Sequence, residues 1–442
     1  MIARGGSENG AFHYKNALEP ILSKGEQSYW LSRRDHQVVP VEDFLQSNIA
    51  AEAAHNPSVT VGRRLLAETV SQHTGAPFHG VLDSLQCCPA IFTGPHSSLC
   101  LSVSTFVSRC LAAKAASTRT CSWGFAYECS TVSLQSKNGV GPGWLEYKGT
   151  RHNVFGVSRQ TRDSAVVCAR HGSWTFRSLA DSPHLEMQEI AARISAIEGT
   201  SPENAFKQAN ETLCLTATEK TSGVLAFADS GTASLIARHL AIDGVLSRLL
   251  LEKDLRQRLV KEIGIRASLT PRLLPNSTDF FWFISEGCRH AARISGSRLE
   301  NKRLNLSISF SRDELIENLI EGRIIPNLFL TFMAICILPN LTCFGGHRQM
   351  IYIPLFKASV AAALQFEAGS DAELQGESVW LPDVLQPVAH PVSMIAAASK
   401  PLLLTGALLA PTFQKDGLGK TRLDYLDPEW YAEIKSGHHH RL

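Results

Sequence analysis

Short apolar runs alternate along the chain with segments whose apolar residues recur at helical spacing, and polar or glycine residues close most of the runs. Ala90-Ile91-Phe92 is a strand-like run closed by Thr93-Gly94. Residues 121–127 form another, closed by Glu128. Gly223 to Ala228 reads as a buried strand closed by Asp229-Ser230, and 341–344 is followed by Gly345-Gly346. Helical spacing links Val61, Leu65, Leu66 and Val70 within 59–73, then Phe106, Val107, Cys110 and Leu111 after the first turn. It recurs at Leu185, Ile190, Ile194 and Ile197 within 184–197. One long helix, capped by Asp229-Ser230, is predicted through Leu235, Leu240, Leu246 and Leu250. Ser201-Pro202-Glu203 places a cap before a proline at the first helical position. Ser311-Arg312-Asp313-Glu314 reads as a capping box opening a helix to Glu321. Further strands are predicted at 153–158, 164–169, 280–284 and 304–310. Strands alternating with helices throughout predict an α/β protein built on a doubly wound, mostly parallel sheet.

Two turns carry candidate chemistry. Thr93-Gly94-Pro95-His96 and Gly345-Gly346-His347-Arg348 each join an apolar run to a helical pattern, and Ser97 or Ser98 would cap the first helix. Backbone N–H groups at two helix starts, with the Arg348 guanidinium, would suit a phosphate or carboxylate. His96 and His347 are titratable near neutrality. Glu128 would bind an amine or act as a base there, or else be a solvated turn residue. In a parallel sheet Thr93-Gly94, Glu128, Asp229 and Gly345-Gly346 would share the C-terminal edge, where such sheets bind ligands. The competing arrangement is a pair of unrelated turns on opposite edges.

Length and charge narrow the class. The 442 residues can bury a large core and suggest two or three domains. We divide them into an N-terminal arm (1–55), an α/β core with inserted subdomains (56–370) and a loop-rich, proline-punctuated tail (371–442). A net charge of +2 without a basic block gives nucleic acid no footprint. Residues 1–10 lack a signal-type apolar core. Residues 324–344 carry no charge, but Pro326-Asn327 and Pro339-Asn340 divide them, so a buried helix (328–338) and a strand are expected, with no membrane partner. The eleven cysteines include no Cys-x-x-Cys and only one adjacent pair, Cys87-Cys88. They read as reduced core thiols of a cytoplasmic protein, with no metal implied by spacing. Cys100, Cys110 and Cys129 are the candidates for a reactive thiol. Gly139-x-Gly141-x-Gly143 precedes a β-like segment and not a helix, so it is no dinucleotide fingerprint. Gly419-Lys420-Thr421 lacks the rest of a phosphate loop, and His438-His439-His440 reads as a terminus rather than a metal site.

Taken in order, these landmarks resemble the bacillithiol biosynthesis cysteine-adding enzyme family over roughly residues 59–357. The family's strand ending in Thr-Gly-Gln-Gln is similar to Thr93-Gly94-Pro95-His96, and its Glu-Asp-His-Asp run aligns with Glu128-Cys129-Ser130-Thr131. Gly223 to Asp229 looks like its Gly-Leu-x-x-x-Asp strand. Pro326-Asn327-Leu328-Phe329-Leu330-Thr331 resembles its Pro-Asn-x-Leu-Leu-Arg segment. Gly345-Gly346-His347-Arg348-Gln349, with Tyr352 three places on, resembles Gly-Gly-Pro-x-Glu. The resemblance implies a Rossmann-like core with connecting subdomains, here expected to lack the family's long coiled coil. It implies a ligase-like activity joining cysteine to the amine of an amino-sugar malate conjugate, and a nucleotide site for ATP or ADP. On this reading His96, Glu128 and His347 are catalytic. Thr93, Gly94, Asp229, Asn327, Gly345, Gly346, Arg348 and Tyr352 bind substrate. Two readings follow. One is a condensing ligase that joins a cysteine-like amino acid to the amine of a small acidic or sugar-derived metabolite. The other is a degenerate paralogue that has lost the chemistry and acts as a binding module. The oligomeric state is left open.

Overall fold

The computed structural model describes residues 38–39, 45–46, 48–49, 56–93, 96–101, 103–134, 141–147, 150–156, 164–168, 173–215, 223–269, 277–345, 349–364, 378–380 and 413–414. In chain order the strand β1 (Val38–Val39) is followed by helices α1 (Pro57–Thr74) and α2 (Phe78–Cys87), then β2 (Ala90–Phe92), α3 (Val103–Thr118) and β3 (Trp123–Glu128). A hairpin, β4 (Trp144–Tyr147) and β5 (Thr150–Asn153), precedes α4 (Leu185–Ile194) and α5 (Pro202–Leu215). The chain continues through β6 (Gly223–Ala228), α6 (Asp229–Ala241), α7 (Val245–Leu251) and α8 (Lys253–Leu269). Five short strands follow: β7 (Phe281–Ser285), β8 (Cys288–Ala291), β9 (Arg293–Ser295), β10 (Arg298–Asn301) and β11 (Leu306–Ser309). Then come α9 (Arg312–Ile320), β12 (Ile324–Pro326), α10 (Leu328–Phe332), β13 (Thr342–Gly345), α11 (Gln349–Leu364), β14 (Ser378–Trp380) and β15 (Phe413–Gln414).

The protein is a mixed α/β structure around a parallel sheet flanked by helices. Its strand order is β14-β13-β2-β3-β6, and every pairing is parallel. The chain builds outward from β2 through β3 to β6, then returns to lay β13 and β14 on the other side of β2. Strands buried on both faces read as continuous apolar runs, as in Ala90-Ile91-Phe92 and Phe125-Ala126-Tyr127. Helix α3 packs across β2, β3 and β6, while α1 and α6 pack on β6 and on each other. The approach of α3 to β3 is close enough that a Cβ on Gly124 would collide with the backbone of Ala112. Because the strands are parallel, Thr93, Glu128, Asp229 and Gly345 all stand at one edge of the sheet.

The segment between β3 and β6 forms a second apolar core from Leu134, Tyr147, Trp174, Phe176, Met187 and Phe206, which Leu99, Cys100 and Leu101 of the loop after β2 join. Two three-stranded antiparallel sheets, β12-β7-β8 and β11-β10-β9, lie beyond α8 in sequence and join the main core.

Several expected elements differ. The long helix from Asp229 is three helices, because Ile242 and Glu252 take extended backbone angles and Gly244 opens α7. The strand expected at 153–158 ends at Asn153, and 154–155 turn. Of 164–169, residues 164–168 bend and turn, with Ala165 bridging Ser133. Ser311 precedes α9 without the expected side-chain cap bond. Leu185 is 72 % exposed, so it lies off the buried face of α4. Helix 328–338 is α10 followed by a π-helical turn, Met333–Ile337, with both pieces nearly sealed in the core. Among the described residues no helix is long and apolar enough to cross a membrane. Strand β14 lies inside the segment expected as a loop-rich tail yet adds to the main sheet, and β15 pairs antiparallel with β1 of the arm. The helix α2 was not anticipated, although Phe78, Val81, Leu82 and Leu85 carry its period.

Candidate functional site

The site is built along the C-terminal edge of the sheet, where β2 and β13 lie side by side. Thr93 follows β2, and its N–H donates to the carbonyl of Phe344 at 2.7 Å. Its hydroxyl donates to Oε1 of Gln349, the first residue of α11, and lies 3.3 Å from the Cys343 thiol. A Cβ on Gly345 would strike both Gln349 Oε1 and Thr93 Oγ1, so the bare glycine is what lets Gln349 fold back over the strand ends. His96 is exposed, and its backbone bridges Cys129 beside β3. Gly94, Gly346, His347 and Arg348 lie outside the described residues, as does Pro95. Neither Ser97 nor Ser98 caps α3, which starts at Val103. The Ser98 hydroxyl instead meets Thr105 Oγ1 at 2.9 Å. Asn210, buried on α5, holds this loop by accepting from Cys100 N–H at 2.6 Å and donating to the Ser98 carbonyl at 2.8 Å.

Beyond β3 and β6 the edge opens into a cavity of about 490 Å³ lined by His73, Arg109, Glu128, Glu203, Lys207 and Ser230, among others. Glu128 is neither a solvated turn residue nor an unengaged base. It is 4 % exposed, and its Oε1 receives both Nε and Nη2 of Arg109 at 2.7 Å. Asp229 is the first residue of α6 and not its cap, a position that Ala228 takes. Its carboxylate instead clamps the end of β3: Oδ1 accepts from the Tyr127 hydroxyl at 2.7 Å, and Oδ2 accepts from Ser130 N–H at 2.6 Å and Thr131 N–H at 2.9 Å. Burial and the facing Asp229 charge hold the Tyr127 hydroxyl well above its ordinary pKa, so it remains a donor.

Glu203 completes the arrangement. Its two carboxyl oxygens contact the hydroxyls of Ser130 and Ser230. Ser130 Oγ also lies 3.1 Å from Asp229 Oδ2 and accepts the Asp229 N–H at 3.2 Å. Burial raises both carboxyls, Asp229 above its usual range and Glu203 to about 7, with the neighbouring Asp229 charge adding to the rise at Glu203.

A smaller cavity of about 170 Å³ is lined by Asp229 together with Tyr127, Thr131, Arg289 and Asn327. The Arg289 guanidinium sits over the Trp282 ring at 4.9 Å. Asn327 has a structural task, since its side chain accepts from Leu330 N–H at 3.1 Å and caps α10. Tyr352 packs in the core against the rings of Phe332 and Phe356. Thus Glu128 and Asp229 share one edge with Thr93, whereas Tyr352 stands in the ring cluster. Glu203, Arg109 and Lys207 were not anticipated as site residues. A lone arginine in the apolar stretch of α3 was the one available signal for Arg109; Glu203 looked like an ordinary first-turn acid. Among the described residues no group of three or more His, Cys, Asp or Glu side chains is arranged to hold a metal ion. Comparison with protein-family models and with curated proteins finds no match to this chain.

Proposed function

We propose that the chain is a Rossmann-like, doubly wound α/β protein that acts as a condensing ligase. It would join a cysteine-like amino acid to the amine of a small acidic or sugar-derived metabolite in the cytoplasm, with ATP activating the carboxylate. The observation that carries this reading is the cavity at the C-terminal edge of β3 and β6, where a carboxyl able to hold a proton at neutral pH, Glu203, stands one helical turn from Lys207. Lysine offers an acidic metabolite a cation, and a carboxyl titrating near neutrality suits removal of a proton from an attacking amine. The strand order, reversing between β2 and β13, supports the doubly wound description.

A second reading, a degenerate paralogue that binds without reacting, is favoured by a different observation. Arg109 engages Glu128, and neutral Gln349 occupies the strand ends where the resembling family has a glutamate. Incubation with ATP, cysteine and a panel of amino-sugar acids separates the two. The ligase consumes nucleotide and forms a new amide; the binding module binds an acidic metabolite and leaves ATP intact. If neither turnover nor metabolite binding is found, both readings fail.

A further inference from the structure

The hydroxyl of Ser130 stands between two carboxylates but has one proton to give. Its oxygen contacts Glu203 Oε2, lies 3.1 Å from Asp229 Oδ2, and already accepts the Asp229 N–H. If both acids were ionised, one of the two contacts would set lone pair against lone pair in a buried setting, which is costly. A single added proton resolves this, since one carboxylic O–H supplies the missing donor. Asp229 is the poorer place for it. Asp229 is 1 % exposed and receives donors from Tyr127, Ser130 and Thr131, all of which favour its charged form. Glu203 receives the two serine hydroxyls and the Ser230 backbone N–H, and it opens onto the 490 Å³ cavity, where a proton can exchange.

We propose that Glu203 is the proton carrier of this cavity, holding the one proton that it shares with Asp229 through Ser130 and exchanging it with whatever the cavity binds.

The groups around it are consistent with that role. On its own helix α5, Lys207 is turned to the His73 carbonyl and to Glu211, the latter at 4.0 Å. From α1, the His73 imidazole is held below its ordinary pKa by burial and by the Lys207 and Arg238 charges, so it is neutral near pH 7. The pair Arg109–Glu128, from α3 and β3, is mutually neutralised. Cys168, buried in the 164–168 segment, feels the acid's charge only weakly, and its thiol is pushed up to about 12 chiefly by burial. Asp229 is the remaining charge, and it opposes ionisation of Glu203. Among the described residues no cation is within ion-pair distance of Glu203.

In the condensation this assignment has a balanced step, which rests on the ligase reading. The amine nitrogen attacks the carbonyl of an acyl phosphate made with ATP, the C–N bond forms, and the C–O bond to phosphate breaks with the electron pair leaving on phosphate. Glu203 enters this step as the carboxylate, its own proton first released to water, and the surplus proton on nitrogen then passes to it and restores the resting carboxylic acid.

The test reads the protein alone, so it stands apart from the ligase assay. Infrared difference spectra of the full chain, recorded as pH is stepped, should show a protonated-carboxyl band with a midpoint near 7. The isosteric Glu203→Gln removes that band, and Asp229→Asn lowers its midpoint by removing a neighbouring charge. Should Asp229→Asn fail to fold, Ser230→Ala raises the midpoint instead, because it takes away a hydroxyl that favours the anion. A spectrum without a near-neutral carboxyl band, or a band that persists in Glu203→Gln, overturns the proposal. A Glu203 band in a protein that forms no amide upholds the proton carrier and defeats only the ligase step.

Discussion

The guanidinium of Arg109 puts two donors, Nε and Nη2, on the same oxygen of Glu128, each at 2.7 Å, with both residues less than a tenth exposed. One partner comes from the middle of α3 and the other from the last position of β3, so the pair ties a helix to the strand end that borders the cavity. Removing one member strands the other as a buried charge. Arg109→Met should therefore cost about 3–5 kcal/mol of unfolding free energy in urea titrations. Pairing it with Glu128→Leu should recover most of that loss. A double variant no more stable than Arg109→Met would show that the pair is not the unit of the effect.

The Glu203 carboxyl gives stability a specific pH slope. Its folded pKa, about 7, lies above the ordinary 4.5, so between those values the folded state binds more protons than the unfolded one. Stability contributed by the neutral acid is therefore present at low pH and lost as pH rises through this window. Relative to Glu203→Gln, the wild type should lose about 2 kcal/mol between pH 4.5 and pH 7, part of the full shift being discounted because the side chain faces a cavity open to water. Chemical denaturation of both proteins across that range measures the difference.

His239 should produce the opposite slope. It is buried on α6 with no hydrogen-bond partner for Nε2 among the described residues, and burial lowers its pKa from 6.5 to about 4. Between these values the unfolded chain binds the extra proton, so stability falls as pH drops from 6.5 toward 4. The contribution is about 3 kcal/mol, and His239→Leu should abolish it. Melting temperatures of the two proteins at pH 7 and pH 4.5 decide the matter: a common acid shift in both would exclude His239 as its source.

Asn210 predicts a local effect. It bonds Cys100 N–H and the Ser98 carbonyl from a position 110 residues away from Cys100, and it is fully buried. Asn210→Ala leaves both backbone groups without that partner and should destabilise by about 2 kcal/mol or more. Hydrogen exchange at the Cys100 amide should accelerate more than at amides within α5. Uniform acceleration would mean that the helix, and not the loop, depends on this side chain.

How much of this could be read beforehand varies with the range of the interaction. The polar and glycine residues that close apolar runs were legible, because a buried parallel strand must be apolar until it reaches the edge. Thr93, Glu128, Asp229 and Gly345 accordingly stand at one edge. Helix ends were less legible. Ser201 does accept the Asn204 N–H, at 3.1 Å, but Ser311 makes no such bond and Asp229 spends its carboxylate on another strand. The same residue types cap helices or bind distant backbone, and local spacing cannot tell the two apart.

The sequence by itself determined that this chain alternates strands and helices, where most core strands stop, and which small and polar residues stand at those stops. These properties follow from periodicity, a matter of neighbours a few residues apart. Only the tertiary structure decided what the polar residues do there. Arg109 claims Glu128, Gln349 fills the space left by Gly345, and Asp229 reaches Ser130 across 99 residues of chain. Ser130 then joins Asp229 to Glu203, a residue whose place in the sequence marked it only as a helix start. A carboxyl's chemistry depends on the donors, charges and water within a few ångströms, and it is the packing of α5 against the end of β6 that sets those for Glu203.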